Sequence, residues 1–327
     1  MNSAFYPEVR LRRLRRTEAL RRLSGQPAPT LGQMIWPVFV VAGENKRQAI
    51  ASMPGQFRRS ADELCRAVAP LAADGLGGLL LFGVADAQAK DADGSSATDE
   101  NGLVPQTVRA LKAEFPQLPV FTDVCLCGAT SHGHCGPLKN GTVDNDAALP
   151  LLAKAALAHA AAGADGVAPS AMMDGQVAAI RRALEQAGFS ETVLMSYSTK
   201  FASALYGPFR EAADSSPQSG DRRAYQLPAN DLRAALREAQ LDEAEGADIL
   251  MVKPATFYLD VISEVRKQSQ LPLAAYNVSG EYAMLHALAQ SGGGDLYALV
   301  RENLLAIRRA GADLLITYWA DQYNRIF

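Results

Sequence analysis

Three of the four cysteines fall within residues 125 to 135, in the run TDVCLCGATSHGHCG, where a Cys-x-Cys pair is followed by a third cysteine after seven intervening residues. Such clustering suits metal or thiol chemistry better than a dispersed disulfide framework. Thiolates favour zinc, and ligation by Cys125, Cys127 and Cys135 alone leaves the fourth tetrahedral position to water or substrate, as in a catalytic site. Gly128, Gly133 and Gly136 allow the loop to fold back so that the sulfurs meet. His132 and His134 stand in the same loop as alternative ligands, and the plainest competing reading is buried cysteines beside ordinary loop histidines. Cys65, in a predicted helix, reads as a small buried hydrophobe.

Lys253 follows four apolar residues in ILMVKPA, so its amine leaves a buried strand in a poorly solvated place. Desolvation favours the neutral amine, and a second ammonium nearby pushes the same way. Lys200, in MSYSTKF, is that second amine if both residues end strands of one barrel. Neutral lysines at a barrel mouth suit imine formation with ketones; the competing role is to cap a carbonyl or pair with a carboxylate. The longest loop, SALYGPFREAADSSPQSGDRRAYQLP from Ser203 to Pro228, reads as an active-site lid, on which Arg210, Arg222 and Arg223 offer forks for a substrate carboxylate.

Positioning these groups on one surface requires a particular scaffold. Eight strand candidates alternate with helical stretches: Ile35–Val41, Gly78–Phe82, Pro119–Val124, Ala164–Ala168, Thr192–Tyr197, Ala247–Val252, Leu271–Val278 and Ala312–Tyr318. Helices are expected over Ala61–Ala73, Asn145–Ala162, Met173–Ala187, Asn230–Glu245 and Thr256–Gln268. The segments AGADGVAPS, EGADILMVKP and AGADLLITYW each place Gly-Ala-Asp between a helix and a strand, with Gly163, Gly246 and Gly311 as helix C-terminal caps. The pattern predicts an α/β protein, a (β/α)8 TIM barrel over residues 33–327, with an arm over 1–32 for oligomer contacts and a lid over about 203–228. An open doubly wound sheet would want a glycine-rich phosphate loop after its first strand, and none is present. In the barrel, Asp123 and the cysteines follow strand three, Ser170 strand four, Lys200 five, Lys253 six and Ser279 seven, while Tyr318 closes eight. Groups with catalytic potential thus converge on the C-terminal rim, where barrel enzymes carry their chemistry.

With 327 residues, 48% of them hydrophobic, the chain can bury a sizeable core. The balance of 32 Lys plus Arg against 35 Asp plus Glu gives no global drive towards nucleic acid or anionic membrane, which points to a small-molecule partner. No apolar run approaches the roughly 20 residues that span a bilayer, and the N-terminus has no signal-peptide core, so a cytoplasmic location is expected. The stretch from Arg10 to Leu23 is predicted to be a short basic helix, an arm docking on a neighbouring subunit rather than a nucleic-acid patch, because no aromatics interleave its arginines.

The motifs DVCLC with SHGHCG, VAPS.MMDG, KFAS..YGPFR, GDRR.YQLP, MVKPA and VSGE.AML span the chain and resemble the 5-aminolevulinate dehydratase (porphobilinogen synthase) family. The resemblance implies a lyase that condenses two 5-aminolevulinate molecules to porphobilinogen with loss of water, in tetrapyrrole (heme) biosynthesis. It further implies that Lys253 forms the imine with the substrate supplying the propionate side and Lys200 with the other. Ser279 and Tyr318 match binders of the first carboxylate, and Arg210, Arg222 and Gln226 binders of the second. Asp123 and Ser170 match polar positions that orient water or the lysines. The cysteine triplet matches the branch that uses a catalytic Zn2+, Glu238 aligns with a ligand of a separate, allosteric Mg2+, and the arm matches one that embraces a partner subunit in a homo-octamer. Two departures stand out, since the family generally has Asp and Arg where this chain has Ala171 and Gln176, and GAT at 128–130 replaces bulkier residues. If Asp and Arg normally pair, losing both leaves no unpaired charge. The competing activities are a class I aldolase-like imine enzyme, which needs Lys253 but no zinc, and a non-enzymatic zinc barrel whose metal is closed by a fourth ligand such as His134.

Overall fold

The computed structural model describes residues 5–327; the first four residues of the expected arm lie outside them. Seven consecutive apolar residues, MIWPVFV, form the first barrel strand, β1 (Met34–Val40), and all seven are buried. Such unbroken apolar runs belong to parallel strands covered on both faces. The strands that follow are β2 (Gly78–Gly83), β3 (Val120–Val124), β4 (Gly166–Pro169), β5 (Val193–Lys200), β6 (Ile249–Lys253), β7 (Leu273–Asn277) and β8 (Leu314–Thr317). Each pairs in parallel with the next, and β8 returns to β1 through Met34↔Leu315 and Ile35↔Ile316, closing an eight-stranded barrel with no exposed edge. Each expected strand has its counterpart, with ends shifted by at most three residues.

The barrel helices follow the expected periodicity, as in Ala61–Ala73 and Asn145–Ala161, the latter capped by Asp144, which accepts from Ala147 N at 3.1 Å. Gly163, Gly246 and Gly311 have φ of +96°, +101° and +127°, so each ends its helix in a conformation that costs other residues a Cβ clash. The aspartate of each repeat has its own task, which periodicity did not disclose. Asp165 accepts from Val120 N at 2.8 Å, Asp248 from Leu194 N at 2.7 Å and Asp313 from Leu273 N at 2.9 Å. Each therefore pins the start of the preceding strand, and each also pairs with a cation: Lys112, Arg181 and Arg266 respectively. This repeated bond sets strand register at the bottom of the barrel and so fixes which residues reach the top.

One expectation needs correction. The stretch Arg10–Leu23 is not one helix but a 3-10 turn, Leu11–Arg15, and a separate helix, Glu18–Ser24. Thr17 breaks it: extended at φ −127°, it caps the second piece by accepting from Leu20 N. The arm's Leu11, Leu14 and Leu23 are 78%, 57% and 83% exposed. Ser279 follows β7 as expected and opens a helix, Ser279–Gln290. A short hairpin, Arg47–Ala49 with Phe57–Arg59, extends the barrel beside the C-terminal end of β1 and was not anticipated.

Candidate active site at the barrel mouth

Register places the two lysines side by side. Lys253, last residue of β6, is the Cα partner of Lys200, last residue of β5. Both are buried, at 4% and 5% exposure. Lys253 Nζ is enclosed by aromatic faces, 4.3 Å from the ring centre of Tyr276, 4.9 Å from Tyr197, 5.1 Å from Phe209 and 5.3 Å from Tyr206. Burial pushes its pKa well below the ordinary lysine value, and the Lys200 charge adds to the shift. Lys200 donates to the carbonyl of Ser170 at the end of β4, and its Nζ lies 5.4 Å from the Tyr197 ring, so one tyrosine face serves both amines.

Cys125 follows directly on β3. The sulfurs of Cys125, Cys127 and Cys135 lie within 4.8 Å of one another, and the first two are 3.3 Å apart. Hydrogen bonds from Cys125 and then Cys127 hold the Cys135 thiol well below its usual pKa, while Cys125, bonded to Cys127 and Cys135, is pushed well up. Three soft sulfurs brought this close form a donor set that fits a thiophilic divalent cation. The histidines do not join it. His134 Nε2 bonds the Ser219 carbonyl at 2.9 Å and its Nδ1 the Tyr225 hydroxyl at 3.1 Å, while His132 Nε2 bonds the Ala92 carbonyl at 3.0 Å. His132 Nδ1 accepts from His134 N at 3.1 Å. With their ring nitrogens committed elsewhere, the histidines leave the three sulfurs as the group that could hold a metal. Gly133 makes the fold of this loop possible: its φ is +73°, and a Cβ there would lie 2.4 Å from the Ser216 carbonyl of the lid.

Asp123, Cys125, Cys127, Ser170, Lys200 and Lys253 line one cavity of about 280 Å³, which Arg222 and Phe209 also reach. Asp123 Oδ1 and the Tyr197 hydroxyl are buried with no hydrogen-bond partner. Burial, and then the negative charge of Cys127, raise the Asp123 carboxyl to about 6 against the pull of Lys200. This places a group able to exchange a proton near neutral pH beside two amines.

The lid lies across this mouth. Its short helix, Gly207–Ala212, is gripped at its C-terminal end by Arg58, which donates to the carbonyls of Ala212 and Glu211. Just beyond, Lys90 pairs with Asp214 at 2.7 Å. Arg222 is buried and donates to the carbonyls of Gly133 at 2.9 Å and Ser215 at 2.6 Å. The Nε atoms of Arg210 and Arg222, and Gln226 Nε2, are buried without partners. Arg223 instead sits at the surface against Asp221. Ser279 Oγ accepts from Phe209 N at 2.9 Å, tying the lid to the end of β7, and Tyr318 donates or accepts with Tyr276 at 3.1 Å. These last two residues stand behind the Lys253 cage, not on the cavity wall. Gln226 lines a neighbouring cavity of about 370 Å³ together with Glu238, Asp174 and Asp242.

Sequence reasoning missed the aromatic cage and the Lys90 and Arg58 grips on the lid. The one available signal was tyrosine at Tyr197 and Tyr276 within strands otherwise poor in large aromatics. Gln176, one of the two departures from the family pattern, is buried and self-sufficient: its Oε1 accepts from Met173 N and its Nε2 donates to the Pro169 carbonyl, both at 3.3 Å. Ala171 packs in the core beside it, so the turn after β4 closes without a charged pair.

A sequence model of the delta-aminolevulinic acid dehydratase family matches residues 8–326. The chain belongs to that family. Relatives with that name from Methanothermobacter thermautotrophicus and Halalkalibacterium halodurans are 51% and 49% identical, covering 96% and 97% of this chain and 96% of each relative. The Escherichia coli dehydratase is 48% identical over 95% of both chains. The crystal structure of the dehydratase (porphobilinogen synthase) from Toxoplasma gondii, in complex with the reaction product porphobilinogen, superposes with a TM-score of 0.94 at 41% identity, over 97% of this chain and 91% of that one. Family membership makes the protein a hydro-lyase that condenses 5-aminolevulinate to porphobilinogen in tetrapyrrole synthesis, and the aldolase-like and purely structural readings fall away. Among the described residues, no helix is long and apolar enough to cross a membrane.

Proposed function

We propose that Lys253 and Lys200 each form an imine with one 5-aminolevulinate, Lys253 on the propionate side, beside a catalytic zinc held by Cys125, Cys127 and Cys135. The observation that carries this reading is the pairing of two buried amines, in register on adjacent strands, on the wall of a cavity that Cys125 and Cys127 also line. The Lys253 amine, its pKa depressed by burial, attacks the ketone carbon in its neutral form; the resulting carbinolamine takes up a proton and loses water, leaving the protonated imine. Asp123, with a carboxyl poised near neutrality, gives and recovers protons at the lysines or at the departing water. Zinc, when bound, would act as a Lewis acid on the second substrate and lower the pKa of its amine or of a bound water. Ser170 holds Lys200 through its carbonyl. As the family resemblance implies, Ser279 and Tyr318 would take the carboxylate of the first substrate, and Arg210, Arg222 and Gln226 that of the second, once the lid has moved, since of these only Arg222 lines the cavity that holds the lysines. Because Ser279, Arg222 and the lid backbone are bonded to one another or to the cysteine loop, substrate carboxylates would replace those internal bonds as the lid opens and recloses. Borohydride reduction with 5-aminolevulinate, followed by peptide mapping, should leave adducts on both lysines; a chain modified at neither would defeat the mechanism.

A second metal site is proposed at Glu238 for an allosteric Mg2+. Burial and then the neighbouring charges of Asp174 and Glu245 raise the Glu238 carboxyl, a strain that a hydrated divalent cation would relieve. Replacing Glu238 with alanine should remove magnesium stimulation of turnover, and persistence of that stimulation would count against the site. The arm is assigned to subunit contacts in a cytoplasmic homo-octamer, which its exposed leucines support. Deleting residues 1–23 should shrink the assembly in sedimentation; an unchanged profile would remove this role.

A further inference from the structure

One buried network joins the ends of three strands behind Lys253. Glu281, on the first turn of the helix Ser279–Gln290, is completely buried. Its carboxylate accepts from Thr256 N at 2.5 Å, Val278 N at 2.7 Å and Asn277 Nδ2 at 3.1 Å. Thr256 stands three residues beyond Lys253, and Val278 immediately precedes Ser279. Asn277 Oδ1 accepts from Thr317 Oγ1 at 3.1 Å, and Thr317 immediately precedes Tyr318. Asn303, from the helix Leu296–Ala310, completes the ring by accepting from Asn277 Nδ2 at 3.1 Å and donating to Thr256 Oγ1 at 3.0 Å. A carboxylate capping its own helix needs only the Val278 contact. Burial raises its carboxyl to about 7, a cost that the bonds from Thr256, Val278 and Asn277 offset only in part, so the reach across to the chain beyond β6 adds order there rather than being needed for the helix. What they hold is the backbone bearing Lys253, Ser279 and Tyr318. Lys200 is supported separately, through Ser170.

We propose that Glu281 is a positioning residue, which through Asn277 and Thr256 locks the ends of β6, β7 and β8 into one platform for the substrate bound at Lys253. The assignment rests on the imine reading of the two lysines. Lys200, whose amine donates to the Ser170 carbonyl and whose own carbonyl accepts from Leu227 N at 3.0 Å, stands outside this network.

The test uses the full-length, metal-loaded protein with Glu281→Gln, which keeps the side-chain shape but turns one acceptor oxygen into a donor facing N–H groups. Borohydride trapping with 5-aminolevulinate should show the ratio of Lys253 to Lys200 adduct falling roughly tenfold, the loss of about one charge-assisted hydrogen bond, and KM should rise along with a fall in kcat. Asn303→Ala, which keeps the carboxylate and removes two outer bonds, should lower the same ratio by a smaller factor and covers the case in which the glutamine variant does not fold. An unchanged adduct ratio in the folded variants overturns the positioning role alone. Absence of adducts at both lysines in the unsubstituted protein overturns the imine reading and this assignment with it.

Discussion

Replacing Lys253 with methionine is expected to cut turnover by ~10^4-fold or more while raising the stability of the fold. The loss of turnover follows from the proposed role of Lys253 as the nucleophile that forms the first imine. The gain in stability follows from the environment. Burial, then the Lys200 charge, depress the folded-state pKa of Lys253, so between that value and the ordinary lysine pKa the unfolded chain binds the proton and the folded chain does not. Stability therefore rises with pH through that window, and at neutral pH the lysine works against the fold. Methionine fills a similar volume against Tyr197, Tyr206, Phe209 and Tyr276 and makes favourable sulfur–aromatic contacts. The gain at pH 7 should be about 1 kcal/mol and should fade as the pH approaches the ordinary lysine pKa. Urea midpoints across pH, alongside kcat, check it. A variant less stable than the parent at pH 7 would mean that Lys253 is held as an ammonium by its aromatic cage, which would contradict its role as a ready nucleophile.

Stripping the cysteine-bound metal with a chelator is expected to reduce activity on the order of 10³-fold and leave the barrel folded. The three cysteines lie within one loop, residues 125–135, outside the eight strands whose pairing closes the barrel. A structural zinc site would instead carry folding energy, and its loss would unfold the chain. Circular dichroism and the thermal midpoint, measured beside activity and metal content, separate the cases. Re-adding zinc should restore turnover and magnesium alone should not. Unfolding on chelation would assign the cluster a structural role; undiminished turnover would remove the metal from the reaction.

How far the site could be read in advance depended on the range of the interactions involved. Several parallel strands were legible because, buried on both faces, they are continuous apolar runs, as in MIWPVFV and GLLLFG. The Gly-Ala-Asp repeats were legible because a left-handed cap is a local requirement, but the strand pinned by Asp248 is 54 residues away from it along the chain, and nothing local announces the bond. The arm was misread because an apolar and basic pattern outweighed Thr17, whose side chain competes for the backbone it follows.

The sequence by itself determined the barrel, the cysteine triplet and the placing of Lys200 and Lys253 at strand ends, since all of these are written in neighbouring residues or in a repeated local period. Only the tertiary structure decided that His132 and His134 turn away from the sulfurs, that four aromatic rings enclose Lys253, that Gln226 faces the Glu238 cavity and that Glu281 ties three strand ends together. Each of these depends on strand register and on the path of the lid over the mouth. Register is settled by bonds between residues far apart in the chain, and spacing along a single sequence does not encode which of them meet.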